Sequence, residues 1–292
     1  MINMKSKLLL IVGLLITVTT TMAQDAFKIY SKNGKEVSYD KMVKDLAKSE
    51  VILIGELHNN PISHWMQLRI TESVFEKNEK LTLGAEMFEA DNQLLIDEYF
   101  AGSIRTKDFE KEMRLWDNYK TDYKPLIEFA NDNKLKFIAT NIPRRYASIV
   151  SRKGFEALDS LNDASKAFIA PLPIVYDTTN PSVVKMMNMD FGHGVGGEKV
   201  IGMTKSQATK DATMAHFILE NKEKKTTFIH YQGDFHSSNY GGIYWYLKNQ
   251  DSGLDIITIS TVEADGELKF EEEYGEMADY ILVVPSDMTK TY

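Results

Sequence analysis

The chain has 292 residues, of which 43% are hydrophobic and 26% charged, a composition typical of a folded globular protein with a substantial core. Acidic residues outnumber basic residues by 42 to 34, so the formal net charge is −8 at pH 7. Because nucleic-acid binding rewards clustered basic residues, this balance argues against a nucleic-acid partner. The absence of cysteine excludes disulfides, thiolate nucleophiles and cysteine metal ligands.

The N-terminus has the pattern of a secretory signal peptide, with two lysines followed by a hydrophobic stretch over 8–16. That stretch is too short for a membrane-spanning helix, although a retained signal anchor is the alternative. Ala23 ends a small-x-small sequence of the kind that signal peptidase cleaves. We therefore predict a signal peptide at 1–23 and an exported mature chain at 24–292, in the periplasm or at the cell surface. Without a cysteine to acylate, the protein is not expected to be a lipoprotein.

After this leader, a hairpin is predicted over 27–39, with Asn33-Gly34 as its turn, and a helix over 39–49. Short apolar strands follow at 51–54, 81–85, 135–139, 226–231 and 254–260, with additional edge strands predicted at 269–270 and 280–284. Helical segments are predicted between them, at 64–75, 93–130, 143–150, 181–190, 206–220 and 242–249. A proline-bearing connection lies at 170–182 and a glycine-rich break at 192–197.

This alternation predicts an α/β fold in which a mostly parallel central sheet is flanked by helices. The helical regions 90–130 and 151–220 are expected to be insertions that pack as a subdomain. No segment has the composition of a linker, so 24–292 is predicted to be a single domain, with its core at about 45–262.

Polar side chains follow four of the predicted strands. Glu56 and His58 follow the strand at 51–54, Glu86 follows the next strand, Arg144 follows the third, and His236 follows the fourth. In a parallel α/β sheet, ligands bind beyond the carboxyl ends of the strands. We therefore expect these five side chains to line one pocket.

Two of these segments, Gly55-Glu56-Leu57-His58 and Gly233-Asp234-Phe235-His236, share the pattern glycine, acid, apolar residue, histidine. A carboxylate and an imidazole at this spacing suit general acid–base chemistry, or a divalent metal held by Glu56, His58, Glu86 and His236. For either motif alone, the alternative is that the polar residues cap a helix or satisfy backbone groups in a loop.

A second group of residues suits an apolar ligand. Met189 and His193 lie with two further methionines and a phenylalanine in and beside the glycine-rich break, where methionine packs adaptably against flat groups. Tyr240 opens an aromatic run over 240–247. Ordinary core packing is the alternative for both groups. His64, His216 and His230 are interpreted as structural, and no Gly-x-Ser-x-Gly elbow supports a serine triad.

The sequence resembles the ChaN-like haem-binding proteins over about 45–250. These proteins belong to a superfamily that includes the Tiki and TraB proteins and the erythromycin esterases. The segments that carry the resemblance are, in order, ILIGELHNNPISHWMQLRI, LGAEMFE, ATNIPRRYAS, SQATKDATMAHFI and FIHYQGDFHSSNYGGI. The mark of the superfamily is two GxxH motifs with paired glutamates, which here match Gly55/His58, Gly233/His236 and Glu56/Glu86. The segments NIPRRY and QATKDATMA point to the ChaN-like branch.

The resemblance implies an exported or outer-membrane-associated protein that binds haem and takes part in iron acquisition. Other branches of the superfamily are hydrolases, including metal-dependent peptidases and a macrolide esterase. Members of the family are often lipoproteins, and this chain departs from that pattern. Tyrosine and histidine are common ligands of haem iron, and His193, Tyr240 and Met189 are the candidate haem-contacting residues.

Two hypotheses therefore remain. In the first, the protein is an exported haem-binding protein for haem or iron uptake, with an outer-membrane haem or iron receptor as partner and the capacity to form a homodimer. In the second it is a hydrolase, in which Glu56 and Glu86 activate water, His58 and His236 bind metal or move protons, and Arg144 stabilises an oxyanion. A bare interaction domain is a less attractive third option, because the polar positions are intact.

Overall fold

The computed structural model describes residues 25–190 and 196–292. Within these residues seven strands form one sheet, in the order β1-β7-β6-β2-β5-β3-β4. All neighbouring pairs are parallel except β1 and β7, which are antiparallel. The strands are β1 (Lys28–Ser31), β2 (Val51–Glu56), β3 (Leu81–Glu89), β4 (Lys136–Asn141), β5 (Thr227–Gly233), β6 (Ile256–Ala264) and β7 (Tyr280–Pro285).

Helices cover both faces of this sheet, which confirms the predicted mostly parallel α/β fold with flanking helices. The α-helices of the described residues are α1 (Tyr39–Leu46), α2 (Pro61–Phe75), α3 (Gln93–Phe100), α4 (Thr106–Glu112), α5 (Lys124–Asp132), α6 (Arg144–Lys153), α7 (Asp163–Lys166), α8 (Pro181–Met187), α9 (Gly197–Asn221) and α10 (Gly242–Gln250). The predicted signal peptide and His193 lie outside the described residues. Among the described helices, none combines the length and apolar character that a membrane span requires.

Strand β2 is the middle strand of the sheet, and both of its faces are buried. Ile52 and Ile54 pack into one hydrophobic core with α1, α2 and α5, whereas Val51 and Leu53 pack into a second core with α6, α9 and α10. Successive side chains of a strand point to opposite faces, so a strand covered on both sides must be apolar at every position. This requirement explains the uninterrupted Val-Ile-Leu-Ile run before the first polar motif.

The predicted helical insertion over 151–220 contributes most of one helical layer. Its long helix, α9, has 25 residues and packs against α6, α10 and β4. The approach to α6 is close, since a Cβ at Gly202 would lie 2.1 Å from the backbone oxygen of Ser151. Because α9 also packs against β4, polar side chains of α9 can reach the carboxyl edge of the sheet.

The two predictions at the edges of the sheet have different outcomes. Residues 269–270 do not form a strand; the Phe270 ring instead packs against the Tyr30 ring, with 5.8 Å between their centroids. The N-terminal hairpin forms: Tyr30 and Glu36 make an antiparallel bridge, and the N–H groups of Ser31 and Val37 donate to the carbonyls of Lys35 and Ile29, at 2.9 and 2.8 Å. Strand β1 also pairs with β7. Gly34 does form a turn, with a φ of +74°.

Candidate functional site

The carboxyl ends of β2, β3, β4 and β5 meet beside a cavity of about 300 Å³. These four strands are parallel neighbours, so the residues that follow them arrive at the same edge of the sheet. The structure thus brings together four of the predicted site residues. The lining comprises His58, Glu86, Met87, Glu89, Trp116, Asn141, Ile142, Arg144, Lys210 and His236.

Glu56, the last residue of β2, is completely buried and lies behind the cavity rather than in its wall. Its Oε1 accepts hydrogen bonds from His58 Nδ1, at 2.8 Å, and from the hydroxyl of Tyr123, at 2.6 Å. Its Oε2 accepts from Gln67 Nε2 at 2.7 Å. Because a hydrogen-bonded carboxylate fixes both the tautomer and the orientation of an imidazole, Glu56 acts on the cavity through His58.

His58 places its imidazole in the cavity wall, where the side chain is 36% exposed. Its ring stands edge-on to Trp116, with 5.0 Å between the ring centroids. A Cβ at Gly233 would lie 2.6 Å from His58 Nε2, so this position requires glycine for the close approach. Burial lowers the pKa of His58, but the hydrogen bond to Glu56 and the charge of Glu86 outweigh it, so the pKa is raised overall.

The backbone of the loop that carries His58 is held by two buried side chains. The carbonyl of His58 accepts from His64 Nε2, at 2.9 Å, and from Asn118 Nδ2, at 3.1 Å. Asn118 Nδ2 also donates to Asp122, which lies with Tyr123 in a single π-helical turn over Tyr119–Tyr123. Such turns are frequent near functional sites. The loop is thus positioned by α2 and by the segment that precedes α5.

His236 lies in a 3-10 turn after β5, between two carboxylates. Its Nε2 is 3.0 Å from Glu86 Oε1, and its Nδ1 is 2.5 Å from Asp211 Oδ1 of α9. Glu86 Oε2 also accepts a hydrogen bond from the backbone N–H of Gly233, at 2.8 Å. All three side chains are at most 7% exposed, so this is a buried ion-pair cluster at the base of the cavity.

The charges of this cluster are coupled. Burial lowers the pKa of His236, but the charges of Glu86 and Asp211 outweigh it and raise the pKa to about 10. Burial raises the pKa of Glu86, and the positive charge of His236 more than offsets this and holds it well below its usual range. The pKa of Asp211 is raised, with burial as the main cause. His236 is therefore cationic at neutral pH, and Glu86 is its anionic partner.

The two Gly-acid-apolar-His segments, alike in sequence, differ in the structure. In the first, the acid holds its own histidine, whereas in the second Asp234 turns away from His236 and accepts from the hydroxyl of Ser260. Burial raises the pKa of Asp234 to about 6. Asp211, from a distant helix, takes the place beside His236 that the pattern suggested for Asp234.

The predicted metal site is not supported. Among residues 25–190 and 196–292, no group of three or more His, Asp or Glu side chains is arranged to hold a metal ion. The four predicted ligands, Glu56, His58, Glu86 and His236, instead form hydrogen bonds and ion pairs in two separate sets. Each carboxylate that would bind a metal is occupied by an imidazole.

The candidate haem-contacting residues lie elsewhere. Met189 follows α8 and is 44% exposed. Other exposed apolar side chains are Val184 and Met187 of α8, and Val175 and Ile201. Tyr240 is half-buried; its hydroxyl donates to Asp279 Oδ1 at 3.1 Å, and burial raises its pKa well above the ordinary value. His193 is outside the described residues, so the structure does not place it.

Several residues of the site were not predicted from sequence. Asp211 carried a signal, because it is an acid on a helix face that otherwise bears Ala208, Ala212 and Ala215, all buried. An acid on a buried face requires a partner, which here is His236. The other missed residues, Gln67, Trp116, Tyr123 and Lys210, reach the site through folding and have no comparable local pattern.

Among solved structures, the chain is similar to ChaN of Campylobacter jejuni, described with cofacial haem binding, with a TM-score of 0.66 and 18% identity over 89% of this chain and 97% of that one. It is also similar to an erythromycin esterase variant in its open conformation, with a TM-score of 0.53 and 8% identity over 89% of this chain and 98% of that one. At these identities the likeness concerns the fold. A comparison with functionally curated proteins finds no match.

The family described as "Haem-binding uptake, Tiki superfamily, ChaN" matches residues 42–247. This range holds β2 to β5, helices α2 to α9 and every residue that lines the cavity. The match confirms the resemblance that the sequence motifs indicated, and the chain belongs to the ChaN family of haem-binding uptake proteins in the Tiki superfamily.

Proposed function

We propose that this protein is an exported haem-binding protein that serves haem or iron uptake. The observation that carries the proposal is the match of most of the chain to a family of haem-binding uptake proteins. An N-terminal signal peptide, cleaved after Ala23, would deliver the chain to the periplasm or cell surface. The partners proposed for this role are an outer-membrane haem or iron receptor and a second copy of the chain.

The exposed apolar side chains around α8 support haem as the ligand. Val184 and Met187 are 42% and 46% exposed on one short helix, and Met189 follows them. A porphyrin offers a wide flat apolar surface, and methionine adapts well to such surfaces. His193 lies four residues after Met189 and is the histidine proposed to ligate the iron. The raised pKa of Tyr240 and its bond to Asp279 disfavour the phenolate that would bind iron there.

Haemin titration of the purified protein, followed by the Soret band, tests this proposal. We expect saturable one-site binding and a spectrum that changes in His193→Ala but not in Tyr240→Phe. Val184→Ser and Met187→Ser should each weaken binding by about fivefold, since burial of half a side chain is worth about 1 kcal/mol. Leu94→Ser is the matched control, because Leu94 is an exposed apolar residue (66%) on α3. Absence of a Soret shift at micromolar haemin would refute the proposal.

Export and assembly need separate measurements. N-terminal sequencing of protein recovered from a bacterial periplasm should begin at Gln24. Sedimentation with and without haemin should reveal a dimer that haem stabilises if two copies share the ligand. Recovery of the uncleaved chain in the membrane fraction would instead indicate a retained signal anchor.

The buried His–carboxylate pairs favour hydrolysis as a second candidate function. His58 Nε2 lies in the cavity wall, and Glu56 engages the opposite ring nitrogen, the arrangement of a general base with its positioning carboxylate. In this reaction, neutral His58 takes a proton from water as the water oxygen attacks an ester or amide carbonyl, and Arg144 stabilises the oxyanion. His58 then returns that proton to the leaving alcohol or amine as the bond between the carbonyl carbon and the leaving group breaks. Both ring nitrogens of His236 face carboxylates, so His236 compensates Glu86 and Asp211 and takes no part in the proton transfer.

A panel of p-nitrophenyl esters and short peptides tests the second candidate. If any substrate is hydrolysed, His58→Ala and Glu56→Gln should each lower kcat/KM at least about a hundredfold. Because the pKa of His58 is raised, the rate should increase with pH through a value above the ordinary 6.5. His216 lies in the C-terminal part of α9 and does not line the cavity. His216→Gln is therefore the control and should retain full activity. Equal activity in all three variants would eliminate this candidate.

A further inference from the structure

Two basic side chains line the cavity without an acidic partner. Arg144 is the first residue of α6, and Lys210 lies in the middle of α9. Among the described ranges 25–190 and 196–292, neither forms an ion pair or a hydrogen bond through its side chain. The next residue in the chain, Arg145, shows the usual alternative, since it pairs with Asp91 at 2.6 Å. Arg144 is exposed and Lys210 is partly exposed, so both are solvated without a ligand and can pair with an anionic one.

The acidic residues of the cavity wall already have other partners. Glu86 accepts from His236 with one oxygen and from the Gly233 N–H with the other. Glu89 is paired with Arg114, at 3.0 Å. His58, whose pKa is raised, adds positive charge whenever it is protonated. Arg144 and Lys210 are therefore the cationic side chains of the cavity wall that remain available to an anionic ligand.

The remaining wall is apolar and aromatic. Trp116, Met87 and Ile142 line the cavity, and Trp116 stands beside His58. A volume of about 300 Å³ lies at the small end of ligand pockets, so it suits a ligand of about one ring and one polar group. A porphyrin is much larger than this, and the cavity is therefore distinct from the haem surface proposed at α8.

We propose that the cavity binds a small aromatic compound that carries one oxyanion group, a carboxylate or a phosphate. Arg144 and Lys210 hold the oxyanion, and the ring lies against Trp116. This site goes beyond haem binding and does not require turnover. If the cavity also hydrolyses esters or amides, the same contacts select substrates with an acidic group.

Isothermal titration of the full chain with benzoate, phenyl phosphate and benzamide tests this inference. Benzamide has the shape of benzoate but no charge, so we expect at least one anion to bind at a single site and benzamide to bind at least about tenfold more weakly. Arg144→Gln and Lys210→Gln should each weaken anion binding by about tenfold. Added salt should also weaken it, because the attraction is between partly exposed charges. The preferred anion distinguishes a carboxylate from a phosphate ligand.

Matched controls come from the same two helices. Arg152 of α6 and Lys205 of α9 do not line the cavity, so Arg152→Gln and Lys205→Gln should bind the anion as the unmodified protein does. The double variant Arg144→Gln/Lys210→Gln should lose the anion yet still bind haemin normally, which separates this inference from the haem proposal. Failure of both anions to bind, equal binding of benzamide, or undiminished binding by the double variant would overturn it.

Discussion

Replacing His236 by glutamine removes the cation from a buried cluster while keeping a side chain that can donate a hydrogen bond. Glu86 and Asp211, which are 6% and 2% exposed, would then be left as two buried carboxylates without their ion-pair partner. Removing one partner of a buried ion pair costs about 3 to 5 kcal/mol, because the desolvated charge that remains is no longer compensated. We therefore expect His236→Gln to lower the free energy of unfolding by about this amount at pH 7.5, measured by urea denaturation.

The pH dependence gives this prediction a specific signature. In the unmodified protein the pKa of His236 is raised to about 10, so its stabilisation is complete below 6.5 and is lost as the pH rises toward 10. The variant should lack this alkaline loss. Without the cation, burial raises the pKa of both carboxyls, so the variant gains stability on acidification as they bind protons. The difference between the two proteins should therefore shrink between pH 7.5 and pH 5.

Two further variants separate charge from general disruption. In His236→Gln/Asp211→Asn one of the two uncompensated charges is removed, and we expect recovery of at least about 1 kcal/mol relative to the single variant. His216 lies on α9, the helix that carries Asp211, and faces the exposed Glu220. His216→Gln should therefore cost less than about 1 kcal/mol. Equal losses in the two single variants, or a loss that does not change with pH, would refute the ion-pair reasoning.

Three other predictions concern the scaffold of the site. Gly202→Ala should cost about 1 to 3 kcal/mol, seen as a lower Tm, because its Cβ would lie 2.1 Å from the Ser151 oxygen; an unchanged Tm would contradict this packing. Burial lowers the pKa of His230 to about 4. Protonation of His230 in the unfolded chain should therefore remove about 3 kcal/mol of stability as the pH falls from 6.5 to 4. His230→Gln should abolish this pH dependence in urea titrations. Tyr123→Phe should cost about 1.5 to 3 kcal/mol in the same assay, because the Glu56 carboxylate loses a buried donor. A loss below about 0.5 kcal/mol would argue against that bond.

Local patterns were sufficient for the fold class and for the first half of the site. The Val-Ile-Leu-Ile run of β2 reports burial on both faces, and the polar residues after each parallel strand must arrive at one edge of the sheet. Glu56 and His58 are two residues apart, so their hydrogen bond depends on local geometry that the sequence encodes directly. The absence of the strand predicted at 269–270 shows the limit of such signals.

The second half of the site depended on contacts between distant segments. Nothing in Gly233-Asp234-Phe235-His236 indicates that Asp234 turns to Ser260 or that Asp211 takes its place beside His236. From its sequence alone this chain specified a mostly parallel α/β sheet, its membership of a haem-binding family and the strand ends that carry polar groups, because these follow from short-range periodicity and motif. Only the tertiary structure decided which acid pairs with which histidine and which cations remain unpaired at the cavity, because those properties depend on how α9 crosses the edge of the sheet.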